Sequence, residues 1–367
     1  CDKPGIENFQ LRSDELNYFI PSLKEILAIN PNLKIIGSPW TCPKWMKVKD
    51  LDSTEPYDSW TGGRLNPNCR EDYATYFVKF VQAFQAHDIA IYAVTPQNEP
   101  LHSGNCASLY MTWEEQTAFI RHLAPAFARA GLQTKIYAFD HNFNYDNIKS
   151  QVDYPLHIFN ALDADMPGIN LVAGSAWHNY GGTPDMLETI HAQAPDKEII
   201  FTESSIGEWS KGRDLSVRLL PEINHLLLAC VNRHCRTVIV WNMMLDLRYG
   251  PYIDGGCNTC FGAVDIDEKD YRTITRNSQY FMISHASAVI RPGAVRVGST
   301  LNASEETKRA SRLSHTACQN TDGSVGVIVS NDSKQEQVVQ VVVPTVGCYP
   351  ITLPAKSVVS VLVPAKK

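Results

Sequence analysis

Two glutamates stand directly after short apolar runs, and carboxyl groups in such positions can do chemistry. Glu99 follows the run Ile89–Thr95, and Glu203 follows the run Glu198–Thr202. A buried carboxylate is costly unless it is hydrogen-bonded, paired or functional, so two structural ion pairs are one interpretation. The other is a catalytic pair, in which one carboxyl group donates a proton while the other attacks or activates water.

Aromatic residues beside polar ones follow several of the apolar runs. Sugar rings stack their C–H faces on Trp and Tyr, while their hydroxyls need Asn, His and Asp partners. A single tryptophan is more often part of a core, but four aromatic residues in polar surroundings favour a sugar site. These four are Trp40, Trp177, Tyr180 and Trp241.

Six short runs rich in β-branched and aromatic residues alternate with amphipathic segments such as Asp72–Phe84 and Trp113–Ala124. The alternation predicts a parallel sheet. The predicted strands are Leu33–Ser38, Ile89–Thr95, Thr134–Phe139, Ile169–Gly174, Glu198–Thr202 and Thr237–Trp241.

A closed barrel needs eight strands, so the six predicted strands leave two folds open. Either two strands precede Cys1, or the sheet is open and doubly wound. The GxGxxG fingerprint that would favour the open sheet is missing.

After about residue 308 the pattern changes to period-two strands, which are typical of an antiparallel β domain. The runs are Gly326–Ser330, Gln337–Val343 and Ser357–Val363. We therefore predict a catalytic domain over residues 1–295 and a β domain over residues 296–367.

Charge and apolar content exclude two classes of protein. The net charge of −6 and the absence of a Lys and Arg cluster argue against a nucleic-acid binder. No window approaches the roughly 18 apolar residues of a membrane span. Ten cysteines and the glycosylation sequons at Asn302 and Asn331 favour secretion.

The cysteine spacing raises the question of a zinc site. Cys257 and Cys260 form a CxxC, and Cys230 with Cys235 forms a wider pair. Structural zinc usually needs four ligands in paired knuckles, and no clear second knuckle accompanies the CxxC. Loop disulfides or free thiols are the favoured interpretation, and we expect no metal.

Seven motifs, in register from about residue 8 to the end, resemble glycoside hydrolase family 30. That family contains the lysosomal glucosylceramidase and microbial endo-β-1,6-glucanases. The motifs are Gly37–Lys47, Tyr76–Phe80, Val94–Pro100, His178–Tyr180, Phe201–Ser204, Trp241–Asn242 and Tyr280–Ser287.

The resemblance implies a (β/α)8 TIM barrel with a β-sandwich side domain, in which the six strands become the third to the eighth. It also implies that two barrel strands, the side domain's outer strand and a sugar-binding aspartate precede Cys1. The site residues that it implies are the acid/base Glu99, the nucleophile Glu203, Asn98 on the hydroxyl next to the reacting carbon, Trp40 and Trp241 as pocket walls, His178 and Tyr180 around the nucleophile, and Asn242 as a further substrate contact.

The expected activity is retaining hydrolysis of β-glucosidic bonds without a cofactor. The favoured substrate is a β-1,6-glucan, with glucosylceramidase-like exo action as the alternative. A catalytically silent carbohydrate-binding protein is the alternative from another class. We expect a secreted monomer, carboxyl groups about 5–5.5 Å apart, and a pKa of Glu99 raised by the charge of Glu203.

Overall fold

The structure, a computed structural model, describes residues 3–105, 107–144 and 148–366. Residue contacts divide the chain into two compact units. Unit 1 runs to Ile200 and includes Asp254–Gly256, while unit 2 holds Phe201–Ile253 and the chain from Cys257 onward. Residues 1, 2, 106, 145–147 and 367 of the predicted domains lie outside the described residues.

Unit 1 combines a parallel sheet with helices. Its strands are β1 (Ile35–Gly37), β2 (Lys47–Val48), β3 (Arg64–Leu65), β4 (Ile91–Val94), β5 (Lys135–Asn142), β6 (Val172–His178) and the first half of β7 (Glu198–Glu203). Its helices are α1 (Ile20–Ile29), α2 (Arg70–Gln85), α3 (Trp113–Arg129), α4 (Tyr154–Ala161) and α5 (Asp185–Gln193).

The main sheet of unit 1 has the order β1-β4-β5-β6-β7, and β1–β4, β4–β5 and β5–β6 pair in parallel. This confirms the first five predicted strands in place and order, with the start of β6 shifted. Ile169–Leu171 forms a 3₁₀ turn after Gly168, which has a φ of 79°. The apolar run therefore becomes extended only at Val172.

A bulge in β5 redirects one side chain. Phe139 pairs with Ala176 and His141 with Trp177, so Asp140 is the extra residue of β5 between two pairs. Phe139 and Asp140 have φ values of 76° and 69°, a conformation that non-glycine residues rarely adopt. Such bulges re-aim side chains and are common beside functional sites.

Unit 2 continues β7 and adds the remaining elements. Its helices are α6 (Leu215–Pro221), α7 (Leu228–Val231), α8 (Ser278–Ser287) and α9 (Glu305–Ser311). Its strands are β8 (Ile206–Gly207), β9 (Cys235–Val238), β10 (Met244–Asp246), β11 (Cys260–Phe261), β12 (Val264–Ile266), β13 (Ile274–Arg276), β14 (Val295–Arg296), β15 (Leu313–Gln319), β16 (Val325–Asn331), β17 (Gln337–Val343), β18 (Gly347–Leu353) and β19 (Ser357–Val363).

The C-terminal strands form two antiparallel sheets, β14-β15-β16-β19 and β17-β18. Ala317, Val327, Val329 and Leu353 pack together between them with the inward valines of β17 and β19. The antiparallel β domain is thus confirmed. The sequence pattern missed β15, where polar residues interrupt the alternation, and β18, which contains Pro350.

Cys257 and Cys260 are joined in a disulfide, so the CxxC forms a loop crosslink. Cys230 and Cys235 are not disulfide-bonded in the structure. None of the described helices has the length and apolar character that crossing a bilayer requires.

The sequon at Asn331 has a structural role. Its side chain is fully buried and donates to the backbone carbonyls of Gln335, Leu353 and Pro354. Its Oδ1 accepts from the backbone and hydroxyl of Ser333 and from Gln337. Asn331 therefore ties the turn between β16 and β17 to the end of β18, whereas Asn302 is exposed.

Asn331→Ala is expected to lower the free energy of unfolding by about 3 kcal/mol or more, because several buried polar groups lose their partners. Urea denaturation measures this loss. Asn302→Ala, at the exposed sequon, is the matched control and should change stability by less than about 0.5 kcal/mol. Equal stabilities of the two variants would contradict this role of Asn331.

Candidate active site

The loop after β4 is hydrogen-bonded to both neighbouring strand ends. Asn98 donates its backbone N–H to the carbonyl of Pro39, 2.8 Å away, and Glu99 donates to that of Asp140, 2.9 Å away. Gln97 donates through Nε2 to the carbonyl of Trp40 at 2.7 Å. These bonds hold Glu99 at a φ of 45°. Backbone strain of this kind costs about 1–3 kcal/mol and clusters at functional sites.

The carboxyl group of Glu99 is buried against polar partners. Its Oε1 lies 3.2 Å from Nδ1 of His178 and 3.9 Å from Nδ1 of His141. Its Oε2 accepts a hydrogen bond of 2.9 Å from Nδ2 of Asn105. The structure thus places His178 against Glu99.

Asp140 lies behind His178 and is itself buried. Its Oδ1 is 3.1 Å from Nε2 of His178. Its Oδ2 accepts from the hydroxyls of Ser38 at 2.6 Å and Thr95 at 2.8 Å. One imidazole ring therefore lies between two carboxyl groups, Glu99 on one side and Asp140 on the other.

The direction of the pKa shift at Glu99 corrects the sequence prediction. Burial acts to raise the pKa of Glu99, but the hydrogen bond and charge of His178, with smaller effects of His141 and Asn105, hold it below its ordinary value. The predicted rise was wrong because the sequence did not reveal this imidazole contact. In the free site these contacts favour the ionised form of Glu99.

Glu99, His141 and His178 each bring one potential ligand atom within 4.8 Å of the others. Both histidines approach the same oxygen of Glu99, His178 at 3.2 Å and His141 at 3.9 Å, and this accounts for the closeness.

The other predicted residues of unit 1 border the same loop. Asn98 is buried and precedes Glu99 directly, whereas Trp40 is half-buried. Tyr180 is 46% exposed, its N–H donates to Oδ1 of Asn142, and its ring centroid lies 6.1 Å from that of His178. This exposure leaves the Tyr180 ring accessible to a ligand.

In unit 2, Glu203 is the last residue of β7 and is half-buried. The carbonyl of the next residue, Ser204, accepts the N–H of Trp241 at 2.8 Å. The carbonyl of Asn242 accepts from the N–H of Ala263 at 2.6 Å. Trp241 and Asn242 are thus placed beyond the end of β9 by backbone bonds, and the strand predicted to reach Trp241 ends at Val238.

Comparison with protein-family models decides the family. Residues 2–290 match the glycosyl hydrolase family 30 TIM-barrel domain, and residues 293–361 match the glycosyl hydrolase family 30 β-sandwich domain. The chain belongs to glycosyl hydrolase family 30. The predicted TIM barrel with a β-sandwich domain is confirmed, while the division at residue 295 stays a prediction.

Individual relatives of this family 30 chain are endo-β-1,6-glucanases and glucosylceramidases. An endo-1,6-β-D-glucanase of Trichoderma harzianum is 31% identical over 89% of the chain, which spans 64% of that enzyme's length. A solved endo-β1,6-glucanase structure is 51% identical with a TM-score of 0.92, covering 100% of this chain and 79% of the other. The lysosomal acid glucosylceramidase of Mus musculus is 26% identical over 96% of this chain and 67% of its own length.

The sequence of this family 30 chain did not indicate that Gln279 is hydrogen-bonded to the backbone next to Glu203. Gln279 in α8 donates through Nε2 to the carbonyl of Ser204 at 2.9 Å and to Oε2 of Glu222 at 3.3 Å. Glu222 is buried; burial raises its pKa against the opposing effects of Arg218 and Gln279. The motif Tyr280–Ser287 adjoins Gln279, but spacing did not indicate the contact.

Proposed function

We propose that the chain hydrolyses β-1,6-glucan internally, with retention of anomeric configuration. The observation that carries this proposal is the 51% identity, over 100% of the chain, to a solved endo-β1,6-glucanase. The similarity to the glucosylceramidase is lower, at 26% identity. This difference favours a glucan over a glucosylated lipid.

The proposed mechanism is double displacement. Glu203 attacks the anomeric carbon while Glu99 protonates the departing oxygen, and Glu99 then removes a proton from the water that releases the sugar. The burial of Glu99 and its contacts with His178 and Asn105 support its role in proton transfer.

We propose that five further residues bind the sugar. Asn98 would contact the hydroxyl next to the reacting carbon, because it directly precedes Glu99 in the anchored loop. Aromatic faces would pack on the sugar ring and polar groups would bond its hydroxyls. The remaining four residues are Trp40, Tyr180, Trp241 and Asn242. His178, predicted as a sixth, has both ring nitrogens on Glu99 and Asp140 and would act through Glu99.

A location outside the cytoplasm belongs to the same proposal. The disulfide between Cys257 and Cys260 supports it, because disulfides persist mainly in oxidising compartments. The monomeric state stays a prediction from the sequence.

Incubation with β-1,6-glucan and, separately, with glucosylceramide tests the substrate. Chromatography should show a series of oligosaccharides from the glucan at early times, as internal cleavage requires. Glu203→Gln protein under the same conditions is the control. Glucose released from glucosylceramide, with the glucan left intact, would overturn the choice of substrate, and inactivity on both would favour a binding protein.

Retention predicts the anomer of the first product. The new reducing end should appear in the β configuration in ¹H NMR spectra and reach the α/β equilibrium only by later mutarotation. This outcome requires carboxyl groups about 5–5.5 Å apart, since a wider gap admits a water molecule and gives inversion. An initial α product would contradict Glu203 as the nucleophile.

A further inference from the structure

Asp140 is a buried carboxyl group to which the proposed mechanism gives no role. It is the extra residue of the β5 bulge, at a φ of 69°. Its side chain contacts the hydroxyls of Ser38 and Thr95 through Oδ2 and the imidazole of His178 through Oδ1. A strained backbone that directs one buried carboxyl group onto one histidine indicates a specific role for that contact.

The hydrogen-bond requirements of His178 define that role. Its Nε2 faces Asp140 at 3.1 Å and its Nδ1 faces Glu99 at 3.2 Å. Each of these contacts needs one proton to be a hydrogen bond, because ionised carboxylates only accept. The hydroxyls of Ser38 and Thr95 donate to Asp140 and favour its ionised form.

Because an ionised Asp140 only accepts, Nε2 of His178 carries a proton and donates a hydrogen bond to Asp140. The second proton then lies between Nδ1 of His178 and Oε1 of Glu99. Two arrangements contain the same number of protons: a Glu99 carboxylate beside an imidazolium, and a protonated Glu99 beside a neutral imidazole. The site passes between them by moving one proton, without exchange with solvent.

We infer that Asp140 is a positioning residue that fixes the tautomer of His178, so that Nδ1 faces Glu99 and shares with it the proton used in the reaction. This inference rests on the proposed acid/base role of Glu99. Asp140 acts through His178 and does not need to touch the substrate.

The proton balance of the cycle closes with these groups. When the glycosidic C–O bond breaks, its electron pair stays on the leaving oxygen, and that oxygen receives the shared proton through Oε1 of Glu99. A Glu99 carboxylate then faces the lone pair on Nδ1 of His178. Two acceptors in contact repel, and the repulsion favours removal of a proton from water, which restores the shared proton as the glycosyl ester is hydrolysed.

Other groups face the same atoms. His141 approaches Oε1 of Glu99 at 3.9 Å, and Asn105 bonds Oε2. Ser38 and Thr95 contact Asp140. Variants of Asp140 leave the side chains of His141 and Asn105 unaltered beside Glu99, so the change reaches Glu99 through His178.

Asp140→Asn is the decisive variant, because asparagine keeps the shape but reverses the proton preference. With its oxygen kept on the hydroxyls of Ser38 and Thr95, its NH₂ faces Nε2 of His178 and forces the proton onto Nδ1. An equivalent change at a Ser-His-Asp triad produces the wrong tautomer with a large loss of kcat. We expect kcat/KM on β-1,6-glucan to fall about 10²–10⁴-fold and the alkaline limb of its pH profile to move at least about one unit toward acid.

Asp140→Ala is the matched variant. It removes the carboxylate that holds the proton on Nε2 of His178 but supplies no amide that donates to Nε2, so its alkaline limb should move less than that of Asp140→Asn. A purely structural role predicts the reverse order, since asparagine preserves packing and alanine leaves a cavity. Thermal unfolding of both variants establishes that they are folded.

¹⁵N NMR of the His178 ring reads the tautomer without any need for activity. At a pH where the ring is neutral, the wild type should carry its proton on Nε2 and Asp140→Asn on Nδ1. The same tautomer in both proteins, or an unmoved alkaline limb in Asp140→Asn, would overturn the inference. An inactive wild type would overturn the proposed function instead, because the NMR result stands on its own.

Discussion

Replacing Glu203 with glutamine is expected to lower kcat on β-1,6-glucan by at least about 10⁴-fold, the scale seen when a covalent nucleophile is removed. A neutral amide neither attacks the anomeric carbon nor stabilises the positive charge that develops there. The loss should be as large on an aryl glucoside with a good leaving group, because both substrates require the same nucleophile. Initial rates on the two substrates measure the effect.

A covalent trap gives this prediction a second readout. A 2-fluoro glycoside with a good leaving group should label the wild-type protein, and mass spectrometry of peptides should locate the sugar on Glu203. Glu336→Gln, at an exposed glutamate of the same unit, is the matched control and should keep full activity. Label on another carboxyl group, or more than about 1% residual activity in Glu203→Gln, would contradict the assignment.

The positions of the two glutamates at strand ends could be predicted from the sequence, because the sequence pattern of a strand is local. The run from Ile89 and the run from Glu198 are short, apolar and bounded by polar residues, and the structure forms β4 and β7 there. The period-two pattern predicted a strand over Gln337–Val343, and β17 has the same bounds. A local pattern is sufficient when burial on one face decides the conformation.

The side chains that contact Glu99 could not be predicted from the sequence. Whether Asp140 points at His178 depends on a bulge in β5, where two successive residues adopt positive φ. The sequence there, Phe139-Asp140-His141, contains no glycine that would have marked the bulge. Asn105, which donates to Glu99, lies in a loop that has no periodic pattern.

The same limit explains the wrong pKa direction. Charge reasoning from sequence considered one neighbour of Glu99, the second carboxylate. The structure adds His178 and His141, which come from the ends of β6 and β5. A pKa depends on distances of a few ångströms, and those distances arise from register, which sequence spacing does not supply.

Glu99→Gln should separate the two steps of the reaction. On β-1,6-glucan, whose leaving group needs a proton, we expect kcat/KM to fall about 10²–10⁴-fold. On an aryl glucoside with a good leaving group, the first step needs no acid and should persist. The glycosyl ester on Glu203 then accumulates because no base activates water, and a burst of released phenol followed by slow turnover should show it.

The pH profile of kcat/KM shows in which direction activity changes as the proton shared by Glu99 and His178 is lost. In the wild type, contacts with His178 favour the Glu99 carboxylate, so the acid function depends on the proton that the two residues share. Activity should therefore fall as pH rises through the apparent pKa of the pair, which reports both residues together. In Glu99→Gln the shared proton is gone, and the alkaline limb should disappear on the activated substrate.

Azide provides the check on this interpretation. A small anion that enters the space left in Glu99→Ala can attack the glycosyl ester without a general base, so it should restore turnover of the aryl glucoside and give a β-glycosyl azide. It should not restore hydrolysis of β-1,6-glucan, because the first step there still lacks its acid. If the alkaline limb of Glu99→Gln stays where it is in the wild type, or if azide does not accelerate Glu99→Ala, then Glu99 is not the residue that moves the proton.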